Sequence, residues 1–418
     1  TDFGKTWKKI LRGIPEKEFA HVIREDPNRK GLLYAGTERG LYVSFDDGDN
    51  WQSLQLNLPV VPIHDLAIQA RDRNLIAATH GRSFWVLDDL DLLYQMNEEL
   101  ANEEVHLFKP GDAYRMRGGS FSRPGLAVGK NPPNGVVVYY NFRHKPKGEV
   151  KLEFLDESAK VIKTFTSKEE QGEGEEGREE GSFRRGGGVQ KIPADSGLNR
   201  FVWNMRYPDA TNVPGAVMWA GGTRGPLVVP GKYQVRLTAG KQSLSESFEI
   251  KKDPRLSTTP DEFRQQLDLL LKIRDKLTEL DEAVNTIREI RVQTGDFVKK
   301  LGKLPAKDTI ANTSKTLNQK LSSIEEELLQ VKSKASEDPL NFPIKLNDKL
   351  AGVAGVVESA DAAPTKQSYA LYDELAGKID DQLAKYRQIV DTDLPAFNAL
   401  VKNENVPAVI LKPVEKNK

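Results

Sequence analysis

His80-Gly81-Arg82 and Asp88-Asp89 place an imidazole, a guanidinium and two carboxylates within one short stretch of chain. Such a set could supply a general base, an anion clamp and an acid. The same stretch also reads as two strands, Ala78 to Leu87, turned at Gly81, with the aspartates ending the second strand. His64-Asp65 offers the same choice between a dyad and the start of a strand. Trp219 lies in a Gly- and Pro-rich loop from Pro214 to Pro226, where an indole is free to touch a ligand, whereas Trp203 alternates into a core.

Other chemistries find less footing. The chain has 418 residues and no cysteine, which excludes disulfides, thiolate nucleophiles and Cys-ligated metals. Its five histidines, at 21, 64, 80, 106 and 144, show neither HExxH nor HxH spacing, so no metal site is expected, and no cofactor. Asp46-Asp47-Gly48-Asp49-Asn50 resembles a calcium loop, but Asn57 stands where an EF-hand needs Glu. Gly172-Glu173-Gly174-Glu175-Glu176-Gly177 fits a dinucleotide fingerprint in letters alone, because its glutamates would repel a pyrophosphate. Arg184-Arg185 sits among glutamates with few aromatics nearby, and 61 basic residues balance 61 acidic ones, so nucleic acid is not an expected partner. No apolar run is long enough to cross a membrane as a helix. Asn312-Thr313-Ser314 fits a glycosylation sequon but lies on a helical seam.

The elements that would position these residues change character along the chain. Residues 1–103 carry short strand-like runs between Gly, Asp and Asn turns. Residues 104–253 continue as β, with strands expected at Val136 to Phe142, Val150 to Leu155, Phe201 to Tyr207, Tyr233 to Leu237 and Leu244 to Ile250. Within them the Gly- and Glu-rich stretch 167–188 is too polar to offset its ordering entropy and is expected to be a disordered loop. Residues 254–406 turn helical. Leu270, Ile273, Leu277, Leu280, Val284 and Ile287 alternate spacings of three and four, as do Ile310, Ser314, Leu317, Leu321, Ile324, Leu328 and Val331. A third seam runs through Tyr369, Tyr372, Ala376, Ile379, Leu383, Tyr386 and Val390, and a shorter helix is expected from Ile344 to about Ala360. Thr259, Pro260 and Glu262 predict a capping box at the first helix. Prolines 305, 339, 343 and 364 favour an antiparallel bundle over one long coiled coil. Residues 407–418 form a tail.

Ser44-Phe45-Asp46-Asp47-Gly48-Asp49-Asn50-Trp51 is a hairpin-pinning motif, in which the carboxylate bonds turn amides, Gly48 supplies positive φ and Trp51 packs on the next strand. Asp2, Gly4 and Trp7 repeat Asp46, Gly48 and Trp51 at a distance of 44 residues, which marks one blade-sized repeat. This pattern resembles the Asp-box, or BNR repeat, of sialidases, sortilin-type Vps10 propellers and xyloglucanase-type propellers. The run from Pro62 to Asp89 resembles the closing blade of bacterial sortilin-like proteins often labelled glycosyl hydrolase. Gly197 to Pro208 and Pro230 to Tyr233 resemble that family's Ig-like sandwich, and Asp338 to Pro343 with Leu346-Asn347 its helical tail.

The resemblance implies a multidomain β plus α protein: the terminal blades of an Asp-box β-propeller, an Ig-like β-sandwich and a C-terminal helical bundle. Its remaining blades are expected upstream or in another chain. It further implies a secreted, periplasmic or cell-surface bacterial protein, any signal peptide lying upstream, that binds a protein, peptide or glycan. Sandwich and bundle would serve as spacer, docking surface or oligomerisation element. Two alternatives stay open. One is a sialidase- or xyloglucanase-like glycoside hydrolase with its active site on other blades, which in its inverting form needs two carboxylates about 6.5 to 9.5 Å apart. The other is a structural subunit of a surface assembly.

Overall fold

The computed structural model describes residues 3–116, 129, 131–168, 190–301, 307–404 and 406. Asp2, the Gly172 to Gly177 motif, Arg184-Arg185, the tail and all but two residues of the 167–188 stretch lie outside the described residues. The chain is mixed α and β, and divides into two compact units. The first holds the described residues up to 168, those from 190 to Asn204, and Gly231–Lys251; the second holds Met205–Pro230 and everything described from Lys252 on.

The first unit begins with two small antiparallel sheets. Strands β1 (Ala20–Glu25), β2 (Leu33–Thr37), β3 (Leu41–Ser44) and β4 (Gln52–Ser53) follow one another in sequence order. So do β5 (Ile63–Gln69), β6 (Asn74–Thr79) and β7 (Phe84–Leu87), after which a short helix α1 (Asp91–Gln95) turns away. The sheets share one apolar core, in which Val22, Tyr34, Leu41 and Val43 meet Ile63, Leu66, Leu75 and Ala77. The β6–β7 stretch is the strand, Gly81 turn and strand visible in the sequence, with Gly81 at φ 80°.

The rest of this unit is built from β8 (Val105–Leu107), β9 (Ala113–Arg115), β10 (Val136–Phe142), β11 (Val150–Leu155), β12 (Val161–Thr166), β13 (Gly197–Trp203), β14 (Gly231–Ala239) and β15 (Gln242–Lys252). They form a three-stranded sheet, β13-β10-β8, and a five-stranded sheet, β12-β11-β14-β15-β9. Strict alternation along β10 buries Val136, Val138, Tyr140 and Phe142. Aromatic rings join the two sheets: Phe154 of β11 stacks on Trp203 of β13 at 4.3 Å, and Phe165 of β12 meets Phe201 at 4.7 Å. The strand expected at Phe201 to Tyr207 instead ends at Trp203. Met205 takes a left-handed conformation, φ 56°, which interrupts the extended run and leaves Arg206 an isolated bridge to Leu227.

The second unit is helical: α2 (Pro260–Lys300), α3 (Lys307–Leu328), α4 (Leu346–Val357), α5 (Lys366–Gln388) and α6 (Leu394–Asn403), the last two joined through one π-helical turn at Ile389–Asp393. Thr259 caps α2 in a complete capping box with Glu262, and Pro260 opens the helix. Helix α2 packs on α3, α4 and α5, and the residues of its expected seam, Leu270 to Ile287, are all buried in the common core. Ala210 and Val213, from the segment the sequence reading assigns to the sandwich, enter that same helical core.

Candidate ligand-recognition site on repeated strand bulges

The first strand of each small sheet carries an irregularity at its second residue. Ala20 pairs with Thr37 and Val22 with Gly36, so His21 is the extra residue; Ile63 pairs with Thr79 and Asp65 with Ala78, so His64 is the extra residue. A bulge re-aims the side chain it carries. Here it brings two imidazoles, 43 residues apart in sequence, to a ring-centroid distance of 4.7 Å. His80, which follows β6, adds a third ring 5.1 Å from His64, and Phe19 sits edge-on to His21 at 5.0 Å. The result is an accessible row, Phe19–His21–His64–His80, across the ends of three strands.

The strand partners repeat as well. Thr37 Oγ1 donates to the Gly40 carbonyl and Thr79 Oγ1 to the Ser83 carbonyl, closing matching hairpins at 3.0 and 2.6 Å. In one sheet the residue after the threonine is Glu38, whose carboxylate lies 2.8 Å from His21 Nε2; in the other it is His80. Further along the exposed face, Arg24 donates to Asp65 Oδ1 at 2.6 Å and to the Leu66 carbonyl at 3.0 Å, tying β1 to β5. Arg82 is exposed, bonded to the Gly81 carbonyl at 3.3 Å, and pairs with no carboxylate among the described residues. Neutral imidazole offers both a donor and an acceptor besides a flat face. With a carboxylate at one end and guanidinium groups nearby, the row suits a polar ligand with hydroxyl or amide groups. Among the described residues no group of three or more His, Asp or Glu side chains is arranged to hold a metal ion.

Asp88 and Asp89 stand apart from His80 and Arg82, at the opposite end of β7. Their setting shares only part of the Asp-box turn of the preceding sheet, since Gly48 has φ 92° where Leu90, 42 residues later, has φ −73°, and the hydrogen bond across the turn moves from Asp47 to Leu90. Gly31 and Asp47 have φ of 77° and 61°, and Arg73 and Asp89, each 42 residues later, have 56° and 62°. Asp47 N donates to the Gly31 carbonyl at 2.9 Å; Leu90 N donates to the Arg73 carbonyl at 2.9 Å. Asp89 Oδ1 accepts from Asp91 N at 3.3 Å at the start of α1, and Asp91 is ion-paired with Arg73. Burial, reinforced by the Asp91 charge, pushes the Asp89 carboxyl up to about 6, and burial raises Asp88 as well. This turn shapes the connection from sheet to helix.

The Asp-box itself is intact at Ser44–Trp51. Ser44 Oγ accepts from Gly48 N at 2.9 Å and donates to Asp46 Oδ1 at 2.8 Å, while Asp46 accepts from Asn50 N at 2.8 Å and from Asn50 Nδ2 at 2.5 Å. These bonds, that from the Asn50 side chain foremost, hold the Asp46 carboxyl below its usual range. Trp51 is buried, donating from Nε1 to the Ile10 carbonyl at 3.0 Å. The earlier copy differs: Trp7 is 91% exposed and its Nε1 donates to the Gly4 carbonyl at 3.1 Å.

Trp219, in the second unit, is 54% exposed, whereas Trp203 is fully buried. The histidine row leaves no mark in local spacing, because its rings are brought together from separate strands. The signal that could have shown it is the repeat: displaced by one blade length, His21 falls beside His64.

No protein family and no curated protein matches the sequence. Two crystal structures of the extracellular domain of BT4673 from B. thetaiotaomicron, described in one case as a one-component and in the other as a hybrid two-component system, show a likeness at 9% identity and a TM-score of 0.15. It covers 57% of this chain and 26% of theirs, so this chain spans about a quarter of their length. Likeness at that level defines neither fold nor activity here.

Proposed function

We propose that the two successive small sheets are blades of an Asp-box β-propeller, that residues 104–253 form an Ig-like sandwich and 254–406 an antiparallel bundle, and that the protein is an extracytoplasmic receptor for a protein, peptide or glycan. The observation that carries this reading is the repeated bulge, which aims His21 and His64 from equivalent positions of β1 and β5 into one exposed row. Neither ring belongs to the apolar core of the sheets, although the His21 side chain, 25% exposed, is partly covered by its neighbours in the row. The family resemblance supplies the propeller and the location outside the cytoplasm. Peptide and glycan arrays probed with the full chain test the function. A ligand bound by the native chain and lost in His21→Ala/His64→Ala, with unchanged melting temperature, supports it. Binding that survives the double substitution, or no ligand on either array, overturns it.

A further inference from the structure

We infer that the helical unit holds a second binding site, for a small amphipathic monoanion: a carboxylate on an acyl or aromatic body. It lies in an open cleft between the loop from Trp219 to Pro226 and helices α2 and α4. Leu270, Ile273 and Leu277 give it an apolar wall on α2.

The facing wall is pre-formed. Asp348 of α4, 3% exposed, accepts from Trp219 N at 2.9 Å and from Ala220 N at 2.8 Å, one bond to each carboxylate oxygen. Gly221 then lies flush on α4, where an added Cβ would come within 2.4 Å of the Ala351 carbonyl carbon and oxygen. Loop backbone is thus fixed before any ligand arrives, which lowers the ordering cost of binding.

Charge selects the ligand. Three charged side chains line the cleft, and two are engaged. Glu358 accepts from Arg206 Nη1 at 3.2 Å; Arg274 donates to Asp275 at 2.5 Å and to the Pro208 carbonyl at 3.1 Å. Arg224, exposed, makes no hydrogen bond or ion pair among the described residues. One uncompensated guanidinium beside an apolar wall fits one carboxylate with a hydrocarbon body. A dianion would exceed that single charge and face Glu358. Trp219, two residues ahead of Gly221, adds an exposed indole whose N–H has no partner among the described residues. The site does not depend on the reading of the histidine row.

Octanoate, phenylbutyrate and uncharged octanol titrated calorimetrically into the full chain provide the test. Saturable binding of at least one carboxylate is expected, tighter than that of octanol, weakened at least about tenfold in Arg224→Gln and restored to within about threefold in Arg224→Lys. Since Arg224 bonds nothing among the described residues, both variants should melt like the native chain. Equal carboxylate affinity in Arg224→Gln and native protein, or no saturable binding of either carboxylate, overturns the inference.

Discussion

His21 and His64 occupy the same bulge in two successive sheets, and their rings meet at 4.7 Å although neither is part of the apolar core. A residue retained for packing and one retained for recognition respond differently to truncation. His64 touches His21 and His80 and is exposed, so His64→Ala should change stability by no more than about 0.5 kcal/mol, the usual range for surface substitutions. Affinity for a ligand found on the arrays should fall by about tenfold or more, as expected where one side chain joins two neighbours into a single contact surface. Denaturant unfolding and binding measured on the same preparation separate the two effects.

Two glycines in non-equivalent turns, Gly48 between β3 and β4 and Gly81 between β6 and β7, give a sharper structural test. Gly48 and Gly81 both have positive φ, 92° and 80°. A Cβ at Gly48 would meet Ile10 Cδ1 at 2.7 Å, whereas at Gly81 nothing lies within 4 Å. Gly81→Ala should therefore cost about 1 kcal/mol from backbone strain alone, and Gly48→Ala should cost more, on the order of 2 kcal/mol, because the Asp-box turn must also shift. Equal losses in thermal unfolding would show that the turn at Gly48 relaxes freely.

What the sequence made legible follows from how local each signal is. The capping box at Thr259, the seam from Leu270 to Ile287 and the strand from Val136 to Phe142 depend on neighbours within a turn or a strand, and the structure shows each of them. The Asp-box at Ser44–Trp51 is equally local. Met205 was not readable, since a left-handed residue in a strand-like run leaves no mark in hydrophobic pattern. Nor was the proximity of His21, His64 and His80, which requires two separate bulges in register. Asp88-Asp89 misleads for the opposite reason: its letters suggest an acid pair, while Asp89 is a left-handed turn residue, φ 62°, that leads from β7 into α1.

The fastening of the Trp219 loop rests on one carboxylate. Asp348→Ala would orphan the Trp219 and Ala220 amides together and empty a buried position. Charge-assisted bonds of this kind contribute roughly 1.5–3 kcal/mol each, so a loss of about 2–4 kcal/mol is expected after the usual non-additivity of neighbours. Asp348→Asn, which retains one acceptor, should lose about half as much. Hydrogen exchange at Trp219 and Ala220 should accelerate in both variants, more in Asp348→Ala. Unchanged exchange at these two amides would mean that packing against α4, not Asp348, holds the loop.

A buried acid in α2 makes stability pH-dependent in the direction opposite to a salt-bridged one. Asp281 is 1% exposed, its Oδ1 has no hydrogen-bond partner, and burial pushes its carboxyl up to about 7, with Arg288 opposing. The folded state therefore keeps this proton to higher pH than the unfolded chain, which releases it near the ordinary value of 3.8. Stability from this group is complete below about pH 4, declines as pH rises toward 7 and is flat beyond. The span is on the order of 4 kcal/mol, by the usual 1.36 kcal/mol per pH unit. Asp281→Asn removes the titrating group and keeps its shape. The difference in unfolding free energy between variant and native protein should shift in favour of the variant from pH 4 to pH 7 and then stop changing. A difference constant across that range would show that Asp281 is ionised in the folded bundle and paired with Arg288.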